Sequence, residues 1–193
     1  MYGDLPMFNT TSAFFDTVLL WVIRFLFNRL EVTKADDPTV EYLFQRADGS
    51  NVTEDALQTD FFRLLTTNAA GSDLEPTNLG GGRADVRLKS SSERVVIEIK
   101  RELGDSSFDT LAGLYQAQTT DYQNVSVRLG FLLVLDLTNN TNEGTPHIRS
   151  LVQTRLVQRT RENHPRLLVI VKVPGNRKRP SDLTKGAKTS NRH

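Results

Sequence analysis

Residues 84 to 100 alternate apolar and charged side chains twice, around a serine-rich break. Val86 and Leu88 interleave with Arg87 and Lys89 in the first arm, and Ile97 and Ile99 interleave with Glu98 and Lys100 in the second, after Val95. A period of two is that of a half-buried strand. Ser90, Ser91, Ser92 and Glu93 supply the turn, so the stretch reads as an antiparallel hairpin. Few folds accept such a hairpin. One face, made of Ala84, Val86, Leu88, Val95, Ile97 and Ile99, must be covered by other elements, and a slip of one residue would bury the charges instead.

With 90–93 as the loop, Lys89 pairs with Arg94, and the same register sets Asp85 opposite Glu98. Directly paired residues share a face, with Cβ atoms about 5 Å apart. Lys100, two residues beyond Glu98, points the same way because strand side chains alternate. Two carboxylates and an ammonium therefore converge. Paired carboxylates can bind a divalent cation, polarise a phosphoryl oxygen and lower the pKa of a bound water. A neighbouring lysine can position or deprotonate that water, or offset charge on a pentacovalent phosphate. Such a site suits phosphodiester hydrolysis, where positioning and charge neutralisation supply most of the catalysis. Glu-x-Lys alone is a weak motif, since seven lysines among 23 acids give roughly one acid-x-Lys by chance, so its weight depends on its surroundings.

A chain of 193 residues with 38% hydrophobic content can bury one solid core. The absence of cysteine excludes a disulfide scaffold, a thiol nucleophile and Cys-ligated zinc or iron–sulfur centres. Three histidines leave oxygen as the main ligand type, which favours Mg2+ or Mn2+. The net charge of +1 is uneven. Arg177, Lys178, Arg179, Lys185, Lys188 and Arg192 against Asp182 give the last 18 residues +5 and the body −4. A basic tail suits a polyanion partner, and it is equally expected of a solvated, disordered terminus.

Before the hairpin, Phe14 to Leu30 is apolar nearly all round, yet Asp16 and Arg24 bracket only seven uncharged residues. That is too short for a spanning helix, and the flanks are not those of a signal peptide. No membrane segment is expected. The helix is either buried in the core or docks on a second subunit or another domain. Asp37-Pro38 predicts a further helix carrying Val40, Leu43, Phe44 and Ala47, ended by Asp48-Gly49-Ser50. Another begins near Thr53, with Leu57, Phe61, Leu64 and Leu65 on one stripe and Glu54 in its first turn, where an acid also suits the helix dipole. Residues 68–82 read as a loop whose Gly80-Gly81-Gly82 lacks phosphate-loop or dinucleotide spacing.

After the hairpin, Phe108 to Asn124 predicts a helix with Leu111, Leu114, Tyr115, Gln118 and Tyr122 on one stripe. An amide there needs partners, and backbone groups can supply them. Leu129 to Leu137 is an apolar run suited to a central strand. Residues 138–144 read as a loop, 148–162 as a helix and 166–173 as a last strand stopped by Pro174-Gly175. The expected architecture is an α/β sandwich around a mixed sheet. Its divisions are an N-terminal helical extension (1–50), a core (51–175) and a basic, disordered tail (176–193).

The conjunction of these pieces resembles the PD-(D/E)XK, or restriction-endonuclease-like, nuclease superfamily. The matching pieces are the helix bearing Glu54, the Gly82-Arg83-Ala84-Asp85 turn into a strand, Glu98-Ile99-Lys100, and Gln118-Thr119-Thr120-Asp121-Tyr122, similar to the Q-x-x-x-Y element of RecB-like members. The strand at Phe131 to Leu137 completes that family's αβββαβ core. The resemblance covers about Thr53 to Leu137. Ala84 stands where the family's name has Pro, and no cysteines flank the core for a cluster. The resemblance implies that Asp85, Glu98 and the Ile99 carbonyl ligate Mg2+ or Mn2+ and that Lys100 orients or activates water. Glu54 would assist through an outer shell, while Gln118 and Tyr122 would steady the lysine and contact DNA backbone. Arg83 and Arg87 would contact phosphate.

Three functional readings follow. The first is an intracellular, metal-dependent nuclease acting on DNA, with RNA as the other substrate class. The second is a catalytically silent nuclease-like fold that binds nucleic acid or protein within a larger assembly. The third is a toxin-type nuclease released from a longer polypeptide, using the same site.

Overall fold

The computed structural model of the chain describes residues 8–33, 37–68, 73–76, 85–90, 93–114, 129–138, 146–158 and 165–178. Its first element is helix α1, Phe8–Leu30. Phe15, Val18, Val22, Phe25, Leu26 and Leu30 recur at helical spacing and are all buried. Helix α2, Glu54–Asn68, buries Leu57, Phe61 and Leu65 from one stripe, as its spacing predicts.

Six strands form one mixed sheet: β1 (Asp73–Pro76), β2 (Asp85–Ser90), β3 (Glu93–Glu102), β4 (Leu129–Asp136), β5 (Val152–Val157) and β6 (Arg166–Pro174). Their order across the sheet is β1-β2-β3-β4-β6-β5. The β1–β2, β2–β3 and β5–β6 pairs are antiparallel, and β3–β4 and β4–β6 are parallel. The α/β class expected from the sequence holds. Residues 108–114 form a helical segment, α3, between β3 and β4. Ser107 caps it, its Oγ accepting from the Thr110 amide.

The sheet separates two clusters. Val86, Leu88, Val95, Ile97, Ile99, Phe131, Leu133, Val169 and Val171 pack with α1 and α2 on one face. Leu111 of α3 joins Leu132, Val134, Val157, Leu168 and Ile170 on the other. Parallel central strands are covered on both sides, which is why β4 reads as an unbroken apolar run. Helix α1 is thus a layer of the same core as the sheet, the first of the two alternatives its sequence left open, and not an appendage ahead of residue 51.

Four sequence expectations are corrected. No α-helix follows Asp37-Pro38. Asp37 does cap, accepting from the Thr39 amide, but only a turn and one 3-10 turn at Glu41–Leu43 follow before Phe44 becomes extended. Phe44 then bridges Arg177 in parallel, and the run Tyr42, Leu43 and Phe44 is buried as a block, not at helical spacing.

Within the predicted 68–82 loop lies β1, an edge strand whose position tolerates Pro76. Of the helix predicted over 148–162, the described part is a 3-10 turn, Ile148–Ser150, followed by β5, and 159–162 lie outside the described residues. Ile148, Leu151, Val152 and Leu156 imitate a helical stripe, but β-branched Val152, Thr154 and Val157 pair along β6, and Leu156 is exposed.

The tail expected from residue 176 begins inside the fold. Gly175 donates its amide to the Asp136 carbonyl, and a Cβ at Gly175 would lie 2.6 Å from Leu137 Cδ2. Arg177 turns back to α1, donating to the carbonyls of Arg29 (2.8 Å) and Val32 (2.6 Å). Its side chain serves as a C-terminal cap. Among the described residues, no helix is long and apolar enough to cross a membrane.

Candidate functional site

The hairpin has the register that its alternation dictates. Asp85 lies opposite Glu98 and Lys89 opposite Arg94, and the Ser90–Glu93 pairing shortens the connection to residues 91 and 92. Val86, Leu88, Val95, Ile97 and Ile99 enter the core shared with α1 and α2. Asp85, Arg87, Lys89, Glu98 and Lys100 occupy positions of the opposite face.

That face is more enclosed than a half-buried strand implies. Glu98 is 1% exposed and Lys100 8%. β4 flanks this pair, its Leu132 and Val134 standing beside Glu98 and Lys100 in the parallel ladder. The two charges meet each other: Lys100 Nζ lies 2.5 Å from Glu98 Oε1. Glu98 Oε2 is also buried and accepts no hydrogen bond from the described residues. Pairing offsets much of the desolvation cost that either charge would carry alone.

Asp85 is placed by backbone register. Ile99 pairs with Leu133, its side chain fully buried on the core face. Glu54 is the first residue of α2, which packs against the Ile97/Ile99 face. Arg101 donates to the Val52 carbonyl at 2.9 Å, tying the start of α2 to the end of β3. Glu54 therefore approaches the end of β3 from the layer opposite Glu98 and Lys100. Arg87 shares the face of Asp85, but the register sets Glu75 opposite it, and Asp73 opposite Lys89. Arg83, Gln118 and Tyr122 lie outside the described residues.

The donor chemistry fits a hard divalent cation. Glu98 offers carboxylate oxygens in an enclosed setting, and the register adds Asp85 as a second acid. Among the described residues, no group of three or more His, Cys, Asp or Glu is assembled for a metal.

Sequence reasoning missed two buried carboxylates. Asp60 sits on α2 and accepts from Arg29 and Tyr42. A cavity of about 300 Å³, lined in part by Tyr42, Arg46, Asp55, Asp60 and Arg63, opens beside it. Its signal was present, since position 60 falls on the same helical stripe as Leu57, Phe61 and Leu64. Asp136 ends β4 and accepts from Ser106 Oγ at 2.7 Å and from the Thr138 amide. Its signal was a lone acid within the apolar run 129–137.

Comparison with protein-family models, with characterised proteins and with solved structures finds no match.

Proposed function

We propose that the chain is a metal-dependent nuclease that hydrolyses phosphodiester bonds, foremost in DNA. The observation that carries this reading is the register of Asp85 opposite Glu98, with Lys100 paired to Glu98 on the same face. The order of elements supports it. α2, β1, β2, β3, α3 and β4 follow one another as α-β-β-β-α-β, with β1 to β3 antiparallel and β4 parallel to β3. The restriction-endonuclease-like core has the same αβββαβ succession.

In this reading Asp85, Glu98 and the Ile99 carbonyl hold Mg2+ or Mn2+. The bound ion supplies Lewis acidity toward the phosphoryl oxygen and lowers the pKa of its water. Lys100 positions the attacking water and offsets charge gathering on the phosphate. Glu54 steadies the site from α2, Gln118 and Tyr122 steady the lysine and contact the DNA backbone, and Arg83 and Arg87 contact phosphate. An intracellular location belongs to the same reading.

The test is incubation of the protein with plasmid DNA, linear DNA and RNA in the presence of Mg2+ or Mn2+. Cleavage that disappears in Asp85→Ala and in Glu98→Gln is expected. No cleavage by the wild type with either metal, or cleavage that survives Asp85→Ala, rejects the reading.

A second reading, a catalytically silent nuclease-like fold acting as a binding module, is favoured by the burial of the Glu98–Lys100 pair and by the charge balance along β1 and β2. Calorimetry separates the two, since a silent module takes up no Mg2+ while remaining folded.

A further inference from the structure

Glu98 and Lys100 are two residues apart on one face of β3, a separation of about 7 Å along the strand. The lysine must therefore lean back along β3 to bring Nζ within 2.5 Å of Oε1. Their side chains are 2% and 11% exposed. Two other charged groups of this layer have partners of their own. Asp136 accepts from Ser106 and Thr138, while Lys172 donates to the Ser106 carbonyl at 3.2 Å and lies over the Phe108 ring. Leu132 and Val134 of β4 offer no alternative partner.

We infer that the Lys100 ammonium holds the cation position at Glu98, so that Mg2+ or Mn2+ enters this site by displacing it. The inference rests on the nuclease reading and adds a regulatory element to it. Two cations cannot both contact one enclosed carboxylate without repelling each other in a medium of reduced dielectric. Lys100 therefore sets a threshold for metal occupancy. Once displaced, its ammonium needs another anion, and a phosphodiester beside the metal provides one. Metal and substrate then bind cooperatively, each raising the affinity of the other by the same factor.

The experiment is a calorimetric Mn2+ titration of the full chain as wild type and as Lys100→Met. It is accompanied by 15N NMR of the lysine ammonium groups in the wild type as Mg2+ is added. The expected results are Mn2+ binding roughly tenfold or more tighter in Lys100→Met, and a Lys100 ammonium signal that shifts as Mg2+ saturates the site. A folded Lys100→Met that binds Mn2+ no more tightly than wild type overturns the inference, as does a Lys100 signal unmoved at saturation. If Lys100→Met does not fold, the wild-type NMR titration decides. If the wild type cleaves DNA with Mg2+ while either overturning result is seen, the inference alone falls. If neither protein takes up metal at millimolar concentration, the inference and the nuclease reading fall together.

Discussion

Arg29 donates Nε and Nη2 to the two oxygens of Asp60, at 2.5 and 2.6 Å, and thereby fastens the last turn of α1 to the middle of α2. The Tyr42 hydroxyl donates to the same carboxylate at 2.7 Å. Burial disfavours the Arg29 charge, but the bonds and attraction of Asp60 outweigh it and raise the guanidinium pKa above its ordinary value. Removing one partner of such a pair strands the other. Asp60→Ala should lose about 3–5 kcal/mol, and Tyr42→Phe about 1.5–3 kcal/mol for a hydrogen bond to a charged group. Urea denaturation measures both, and an Asp60→Ala cost below that of Tyr42→Phe would show that the ion pair is not the main tie.

Tyr42 also makes stability depend on alkaline pH. Burial, and then the charge and hydrogen bond of Asp60, drive its phenol well above the ordinary value of 10.0. A group whose folded pKa is raised contributes stability that is complete below the unfolded pKa and declines above it, because there only the unfolded chain releases the proton. The stability gap between wild type and Tyr42→Phe should thus be constant up to about pH 10 and narrow above it. A gap unchanged between about pH 8 and pH 11 contradicts this assignment.

Arg177 binds the carbonyls at the end of α1, and its guanidinium lies 5.1 Å from the Phe44 ring centre. A cation there satisfies carbonyls that the helix leaves open and opposes its dipole. Arg177→Ala should cost about 1.5–3 kcal/mol, whereas exposed Lys178 changed to Ala should stay within about 0.5 kcal/mol. Thermal melts of the two variants distinguish a cap from a general contribution of basic charge. Equal small effects would return Arg177 to the solvated tail.

Lys100 carries a structural role alongside its proposed chemical one. Lys100→Ala removes the ammonium that lies against buried Glu98 and should destabilise by about 3–5 kcal/mol. Glu98→Gln combined with Lys100→Met removes both charges and should recover most of that loss. A double variant no more stable than Lys100→Ala would mean that packing, not charge, is the cost. Activity lost in the single variants therefore needs a circular dichroism spectrum beside it before it is assigned to chemistry.

The hairpin was legible because period two leaves one register that buries Val86, Leu88, Ile97 and Ile99 together, and the Asp85–Glu98 pairing follows from it by counting. The enclosure of Glu98 and Lys100 was not, because it depends on which strand lies next to β3, a non-local choice that local periodicity does not encode. β5 was hidden for a related reason. Leu151, Val152 and Leu156 have helical spacing, and only pairing with β6 makes the segment a strand. Arg177 was hidden because its partners lie some 145 to 148 residues away along the chain, while its neighbours Lys178 and Arg179 suggest a polyanion-binding tail.

Helix α1 admits a test that separates core from assembly roles. Phe15 stacks on Phe131 of β4 with ring centres 4.7 Å apart, and Phe25 meets Phe61 of α2 edge-on at 5.0 Å. These rings cover the sheet face that carries Ile99, Leu133 and Val171. Phe15→Ala and Phe25→Ala should each cost about 3–5 kcal/mol. Leu20 and Phe27, about half exposed two turns apart, should change to Ser within about 0.5 kcal/mol. Without residues 1–33 the same sheet face meets water, so the remainder should lose its near-ultraviolet dichroism and cooperative melting. A shortened chain that still melts cooperatively with native near-ultraviolet signals would make α1 an appendage after all. It would also confine the fold to α2, the sheet and α3, the part in which the nuclease reading is expressed.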